Sequence, residues 1–286
     1  MPAILIPRRA TLEGSYDLVQ AFAAAMQEPE ALTLDCAGTE FFDPFGVALI
    51  AALIASRRQD QNPRATSLVP PRDPEANHFV AEVGLDRFAN GESTGRGTLE
   101  IRQLHALHAN YTSAVTKMLV RGVPGITEEN SYPIQLCLNE LLQNVFEWSE
   151  SPIGCVVLAR WYLKTRSVKL CVVDLGIGIP AALRRSRVRE LHRATDAEVL
   201  EAAVSTPRLT SRANQVGGLG LKTILDEVST RGGRLTVLSL GAKLSWVAGR
   251  VTGRSKRPPA FRGTAILIDF RPNALVPSAR EHIAVF

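Results

Sequence analysis

The sequence predicts an α/β protein built from two units, and three observations carry that expectation. Over residues 1–90, short apolar runs alternate with stretches of helical periodicity, the pattern of an open sheet with helices packed on it. Residues 91–98, "GESTGRGT", hold three glycines and no large apolar side chain, as a linker does. Residues 99–286 place two helical patterns before a strand-rich end.

The first unit reads in order as strand "AILI" (3–6), helix "YDLVQAFAAAM" (16–26) and strand "ALTLDC" (31–36). A loop, "GTEFFDPFG", leads to the helix "VALIAALIASRR". Strand "ATSLVP" (65–70) and helix "PEANHFVAEVGL" (74–85), with Pro at its start, complete the unit. In the second unit Leu104, Leu107, Tyr111, Val115, Met118 and Leu119 fall at helical spacing, with Gly122 as the stop. A helix over 132–149 follows, with Ser131 as its cap and Pro133 in its first turn. Ile134, Cys137, Leu138, Leu141, Leu142, Val145 and Phe146 form its core face. Strands are expected at 154–163 and 168–176, then a long mixed segment (179–216) and a glycine-rich turn opening a helix at "GGLGLKTILDEV". "GRLTVLSL", "AKLSWVAG" and "GTAILIDF" read as closing strands.

Composition narrows the function. The chain has 286 residues, 45% of them hydrophobic, enough for a core without staples. Cysteines 36, 137, 155 and 171 form no CxxC and no His/Cys cluster, so neither a zinc site nor a disulfide framework is indicated; a reducing cytoplasm fits. The first residues lack a signal-peptide pattern. The longest apolar run, "FGVALIAALIA", is short of the roughly 20 residues that span a bilayer, so no membrane segment is expected. Net charge is +5. Residues 231–271 carry nine Lys or Arg against one acid, Asp269. Such a surface suits nucleic acid or a nucleotide, but a solvated basic face is the plainer reading. Aromatic content of 6% does not favour a base-stacking platform.

Glu140 and Asn144 lie one turn apart on a stripe beside the core face of the 132–149 helix. By itself this is an ordinary polar helix edge. "VVDLGIGIP" then puts Asp174 at the end of an apolar strand, followed by Gly176 and Gly178. A carboxylate there can accept a hydrogen bond from an exocyclic amine, and the glycines permit close approach of a ligand. "GGLGL" brings Gly218, Gly220 and Leu221 to a helix N-terminus, which favours anions.

Taken in order, "NELLQN", "DLGIGIP", "GGLGLKTI" and "GTAILIDF" make residues 99–271 resemble the gyrase/histidine-kinase-like (GHKL, Bergerat-fold) ATPase domain. The resemblance implies a layered α/β sandwich, a mixed sheet covered on one face by helices, with ATP and Mg²⁺ bound. It implies that Asn144 holds the metal, Asp174 pairs with the adenine amine and Thr264 supports that contact. Gly176 and Gly178 would pass under the base, and Gly218, Gly220 and Leu221 would line the phosphates. Glu140 occupies the position that is usually Asn in sensor histidine kinases and Glu in the hydrolysing members and the anti-sigma-factor serine kinases. There it activates water or a serine hydroxyl. "GLGLKTILDEVS" is close to the serine-kinase motif, although Trp148 stands where those proteins usually carry His. His105 and His108 lack the residues that usually follow a phosphoacceptor histidine. The segment 179–216 has seven arginines against four acids; Arg184, Arg185, Arg187, Arg189 and Arg212 are candidates for phosphate contact.

"LTLDCAGTEFFDPFGVALIAAL" and "AEVGLDRF" resemble the STAS domain of anti-sigma-factor antagonists. The resemblance implies a docking or dimerisation module and a protein partner. Pro44 follows Asp43 where those antagonists carry a phosphorylated serine, so this unit cannot be modified at that place. The leading expectation is an ATP-dependent regulator, as ATPase or protein serine/threonine kinase. A non-catalytic ATP-gated switch and a nucleic-acid-associated ATPase stay open, as does a homodimer.

Overall fold

The computed structural model of the chain describes residues 1–59, 65–92, 100–107, 109–123, 126–162, 165, 167–185, 189–207, 220–255 and 260–270. Of the expected features, most of the 91–98 linker, His108, Arg187, Arg212 and Gly218 lie outside them. The chain is a mixed α/β protein.

The first ninety residues run β1 (Ala3–Leu5), β2 (Arg9–Ala10), α1 (Ser15–Gln27), β3 (Leu32–Asp35), β4 (Phe41–Phe42), α2 (Pro44–Gln59), β5 (Thr66–Val69), α3 (Pro74–Glu82) and α4 (Leu85–Ala89). Strands β1, β3 and β5 pair in parallel in that order. The single helix expected over 74–85 is two, because Gly84 takes φ 74° and turns the chain between them. Asp73 caps α3 by accepting from the Ala76 N–H at 2.9 Å.

Helix α2 is buried on all sides from Phe45 to Ala55, as an all-apolar helix must be. Its Arg57 is also fully buried. That charge is satisfied by the Ala25 and Glu28 carbonyls at 2.9 and 2.8 Å and by Thr66 Oγ1 at 2.8 Å, so it ties α2 to the end of α1.

The remaining elements are β6 (Arg102–Leu104), α5 (Ala109–Gly122), α6 (Glu128–Asn144), a π-helical turn (Val145–Ser149), β7 (Cys155–Tyr162), β8 (Ser167–Asp174), α7 (Ile179–Arg184), α8 (Arg189–Arg193), α9 (Asp196–Ser205), α10 (Gly220–Thr230), β9 (Arg234–Leu240), β10 (Ala242–Val247), β11 (Arg250–Arg254) and β12 (Phe261–Phe270). Among the described residues no helix is long and apolar enough to cross a membrane.

Four expectations change here. Leu104 belongs to an edge strand, not to the following helix. Helix α6 starts a turn early: Ser131 N–H already donates to Thr127 O, and the Ser131 hydroxyl donates back to Glu128 O at 2.7 Å. Ser131 therefore does not cap the helix, and Pro133 lies inside it. The large sheet, in order β11-β10-β9-β12-β8-β7-β6, is antiparallel at every described pairing rather than mixed. Four residues or fewer separate β7 from β8, β9 from β10 and β10 from β11, too few for the crossover a parallel pair needs. Finally, the sheet is covered on both faces. On one, Val157, Val172 and Ile266 join a core with Leu138, Leu142 and Ile224. On the other, Val156, Leu158, Cys171 and Val173 share a core with α1 and α2.

Candidate functional site

Because side chains alternate along a strand, β8 sends Val173 toward α2 and Val172 and Asp174 toward the helices. Between that face, α6, α7 and α10 lies a cavity lined by Asn144, Asp174, Gly178, Gly220, Leu221 and Thr264. Trp148 and Ser149 also border it, and its other walls are apolar side chains such as Leu141, Ile179 and Ile266. Sequence positions spread over 120 residues thus meet in one place, with an apolar body and a few polar groups, the usual form of a small-molecule site.

Asp174 is 4% exposed. Its Oδ1 accepts the Gly176 N–H at 2.8 Å, and the Thr264 N–H also bonds its carboxylate. Burial pushes its pKa up to about 7, against the pull of these two donors. Thr264 is its direct cross-strand partner on β12. That register depends on Gly263, at φ 117°, where a Cβ would lie 2.1 Å from Asp174 O.

Asn144 closes α6 at the point where the helix widens into the π-helical turn, a distortion often found at functional sites. Its amide Nδ2 is buried with no hydrogen-bond partner. Glu140, one turn back, does not border the cavity itself. Its carboxylate instead faces the first residue of α10: a Cβ on Gly220 would sit 2.6 Å from Glu140 Oε2 and 3.3 Å from Asn144 Nδ2. Burial, then the negative charge of Glu147, raise the Glu140 pKa.

Gly176 is not among the lining residues. A Cβ there would fall 1.9 Å from Ser149 O, so its small size lets the loop after β8 press against the π-helical turn. Two hydrogen bonds fasten that contact: Ile177 N–H to Ser149 O at 2.7 Å and Leu175 N–H to Ser151 Oγ at 3.1 Å. Sequence reasoning missed Ser149, Ser151, Gly263 and Ser239. Ser149 and Ser151 hold the loop that carries Gly176, and Gly263 and Ser239 adjoin Thr264; only Ser239, a polar residue in an apolar strand, left a trace in the pattern.

Within the 179–216 segment, whose arginines are candidates for phosphate contact, helix α9 is packed structure. Val199, Leu200, Ala203 and Val204 of α9 are buried. Asp196 accepts the Gly241 N–H at 2.9 Å and pairs with Arg184 at 2.6 Å. Arg184 also donates to Ala194 O at 2.9 Å, and Arg185 pairs with Glu150, so both arginines have partners other than a ligand. The basic stretch is similarly engaged. Arg231 pairs with Glu227, Arg234 with Glu13 and Arg254 with Glu201, while Lys243 donates to Leu12 O and to Glu13 O.

The arrangement can accept an amine at Asp174, offer an amide to a cation at Asn144 and draw an anion to the start of α10. Among the described residues no three His, Cys, Asp or Glu side chains group as a metal cage, so a cation here would rely on few protein ligands.

The chain matches no protein-family model, and no curated protein matches it. Among solved structures it is similar to the B subunit of DNA gyrase from Myxococcus xanthus, at 11% identity and a TM-score of 0.32, over 62% of this chain. It spans 46% of that gyrase chain, less than half its length.

Proposed function

We propose that the cavity binds Mg-ATP and that the protein is a cytosolic regulator that hydrolyses ATP or transfers its phosphate to a partner protein, in the manner of the anti-sigma-factor serine kinases. One observation carries this reading: Asn144, Asp174, Gly220 and Thr264 border one cavity, and Glu140 stands at the same helix start as Asn144.

The residues fit the ligand. Asp174, held by two backbone donors, takes the adenine amine, and Thr264 flanks it. The unpartnered Asn144 Nδ2 is a donor in want of an acceptor such as a phosphate oxygen, while the oxygen of the same carboxamide suits Mg²⁺. When bound, the ion neutralises phosphate charge. The start of α10, bare of a side chain at Gly220, receives the phosphates. Glu140 accepts the proton of the attacking water or hydroxyl; its raised pKa makes it a better base than an exposed glutamate.

In this reading the N-terminal unit, STAS-like, is the partner-docking part. Pro44, buried at the start of α2, has no hydroxyl to modify, so in the kinase reading the acceptor is sought on a partner rather than at this position. Calorimetry with Mg-ATP tests binding directly. Wild-type protein should give a saturable signal that Asn144→Ala weakens at least several-fold; no binding to either would sink the proposal.

A further inference from the structure

The polar row that holds Asp174 does not end at Thr264. Asp174 on β8, Thr264 on β12 and Ser239 on β9 are successive cross-strand partners, so their side chains stand in line on the cavity face. Cys155 and Ala242 flank the row, and both belong to the apolar core. Ser239 is fully buried in these surroundings.

Its hydroxyl oxygen meets three groups. It accepts the Ile179 N–H at 3.0 Å and lies 2.9 Å from Gly263 O and 3.1 Å from Thr264 Oγ1. A hydroxyl has one proton and two lone pairs. The Ile179 N–H occupies one lone pair, so the proton goes either to Gly263 O or to Thr264 Oγ1. In the second case the proton of Thr264 is turned away from Ser239. The bonds then run in one direction: Ile179 N–H to Ser239, Ser239 O–H to Thr264, Thr264 O–H to an acceptor in the cavity. In such a chain each bond polarises the next.

The far end of the chain is the start of α7. Its N-cap, Gly178, has no side chain to offer, and Ser239 supplies the acceptor from a distant strand. Ile179, Ala182 and Leu183 of α7 line the cavity. One hydroxyl therefore touches both the residue beside Asp174 and the helix over the cavity.

We infer that Ser239 is a positioning residue that couples nucleotide recognition at Thr264 to the seating of α7. The inference rests on the Mg-ATP reading of the site. A nucleotide that accepts from Thr264 selects the one-way arrangement and tightens the Ile179 bond.

The test is amide hydrogen exchange at Ile179, with and without a non-hydrolysable Mg-ATP analogue, on the full chain. Alongside it, analogue affinity is measured for wild type, Ser239→Ala, Thr264→Val and the double variant. In wild type the analogue should slow Ile179 exchange. In Ser239→Ala the analogue should still bind, roughly five- to ten-fold more weakly, as for one lost hydrogen bond, and leave Ile179 exchange unchanged. The double variant should bind no worse than Thr264→Val alone. Ser239→Thr keeps the hydroxyl and should restore the ligand effect. Ser239→Cys, with a weakly accepting sulfur, replaces the alanine variant if that does not fold. Losses that multiply in the double variant, or ligand protection of Ile179 that persists without the hydroxyl, overturn the coupling while leaving the site intact. Wild-type protein that binds no analogue overturns the Mg-ATP reading and this inference with it.

Discussion

Asp174 shows how a single buried group sets both a stability profile and a binding profile. Its carboxyl sits at about 7 in the folded chain against an ordinary 3.8. Between those values the folded chain holds a proton that the unfolded chain has released. The folded state therefore has its full advantage below about pH 4 and loses it as pH rises toward about 7, by at most about 1.4 kcal/mol per pH unit. Asp174→Asn keeps the shape and removes the titration. In urea unfolding, its stability relative to wild type should rise between about pH 5 and about pH 7; a constant difference would refute the burial argument. Asp43 and Glu140, whose pKa values are also raised, are common to both proteins and cancel in that difference. In the Mg-ATP reading, nucleotide binding carries the opposite sign, since the ionised carboxylate is the stronger acceptor for an adenine amine. Glu140 belongs to the same scale. Glu140→Gln should leave Mg-ATP affinity within about two-fold and reduce turnover by about a hundred-fold or more, the usual worth of a general base. Normal turnover in that variant would remove Glu140 from the chemistry.

At the scale of elements, the site depends on how closely two helices and a loop approach one another, and glycines mark the contacts. At Gly176 the neighbour is the Ser149 carbonyl, which belongs to backbone and cannot swing aside. Gly176→Ala should cost more than about 2 kcal/mol in thermal or urea unfolding, because the loop must leave the π-helical turn. At Gly220 the neighbours are the ends of the Glu140 and Asn144 side chains, which can move. Gly220→Ala should thus leave the midpoint of unfolding nearly unchanged and lower turnover sharply. Equal behaviour of the two variants in both assays would contradict this distinction. The same scale separates what the sequence made legible from what it did not. That Asn144, Asp174, Gly178, Gly220 and Thr264 border one cavity was legible, because each sits at a fixed step in a local motif. The split at Gly84, the early start of α6 and strand β6 were not, because one left-handed residue or one pairing across the sheet decides them. Ser239 left a trace as a polar residue in an apolar strand, but its partners Ile179 and Thr264 did not, because only the fold brings the three together.

For the whole molecule, the sequence marked "FGVALIAALIA" as a helix that must be buried, but periodicity cannot say against what. In the structure α2 is the part of the N-terminal unit that packs on the back of the large sheet, so the strands that carry Asp174 and Thr264 rest on it. Phe22 of α1 reaches Phe261 edge-on at 5.8 Å, beside the irregularity in β12 between Phe261 and Thr264. Residues 99–286 expressed alone would bare Val156, Leu158, Cys171, Val173, Leu238 and Ala265, all from one sheet face. A contiguous apolar surface of that kind drives association. The fragment should aggregate or unfold without cooperativity, and adding residues 1–92 as a separate chain should recover a soluble, cooperatively folded complex. The full chain, by contrast, should unfold in a single transition followed equally by tryptophan fluorescence and circular dichroism. A soluble fragment with its own sharp transition and full Mg-ATP affinity would mean that the N-terminal unit is only attached to the unit that carries the cavity. Loss of both on truncation would mean that whatever binds the N-terminal unit acts, through α2, on the back of the strands that carry Asp174 and Thr264.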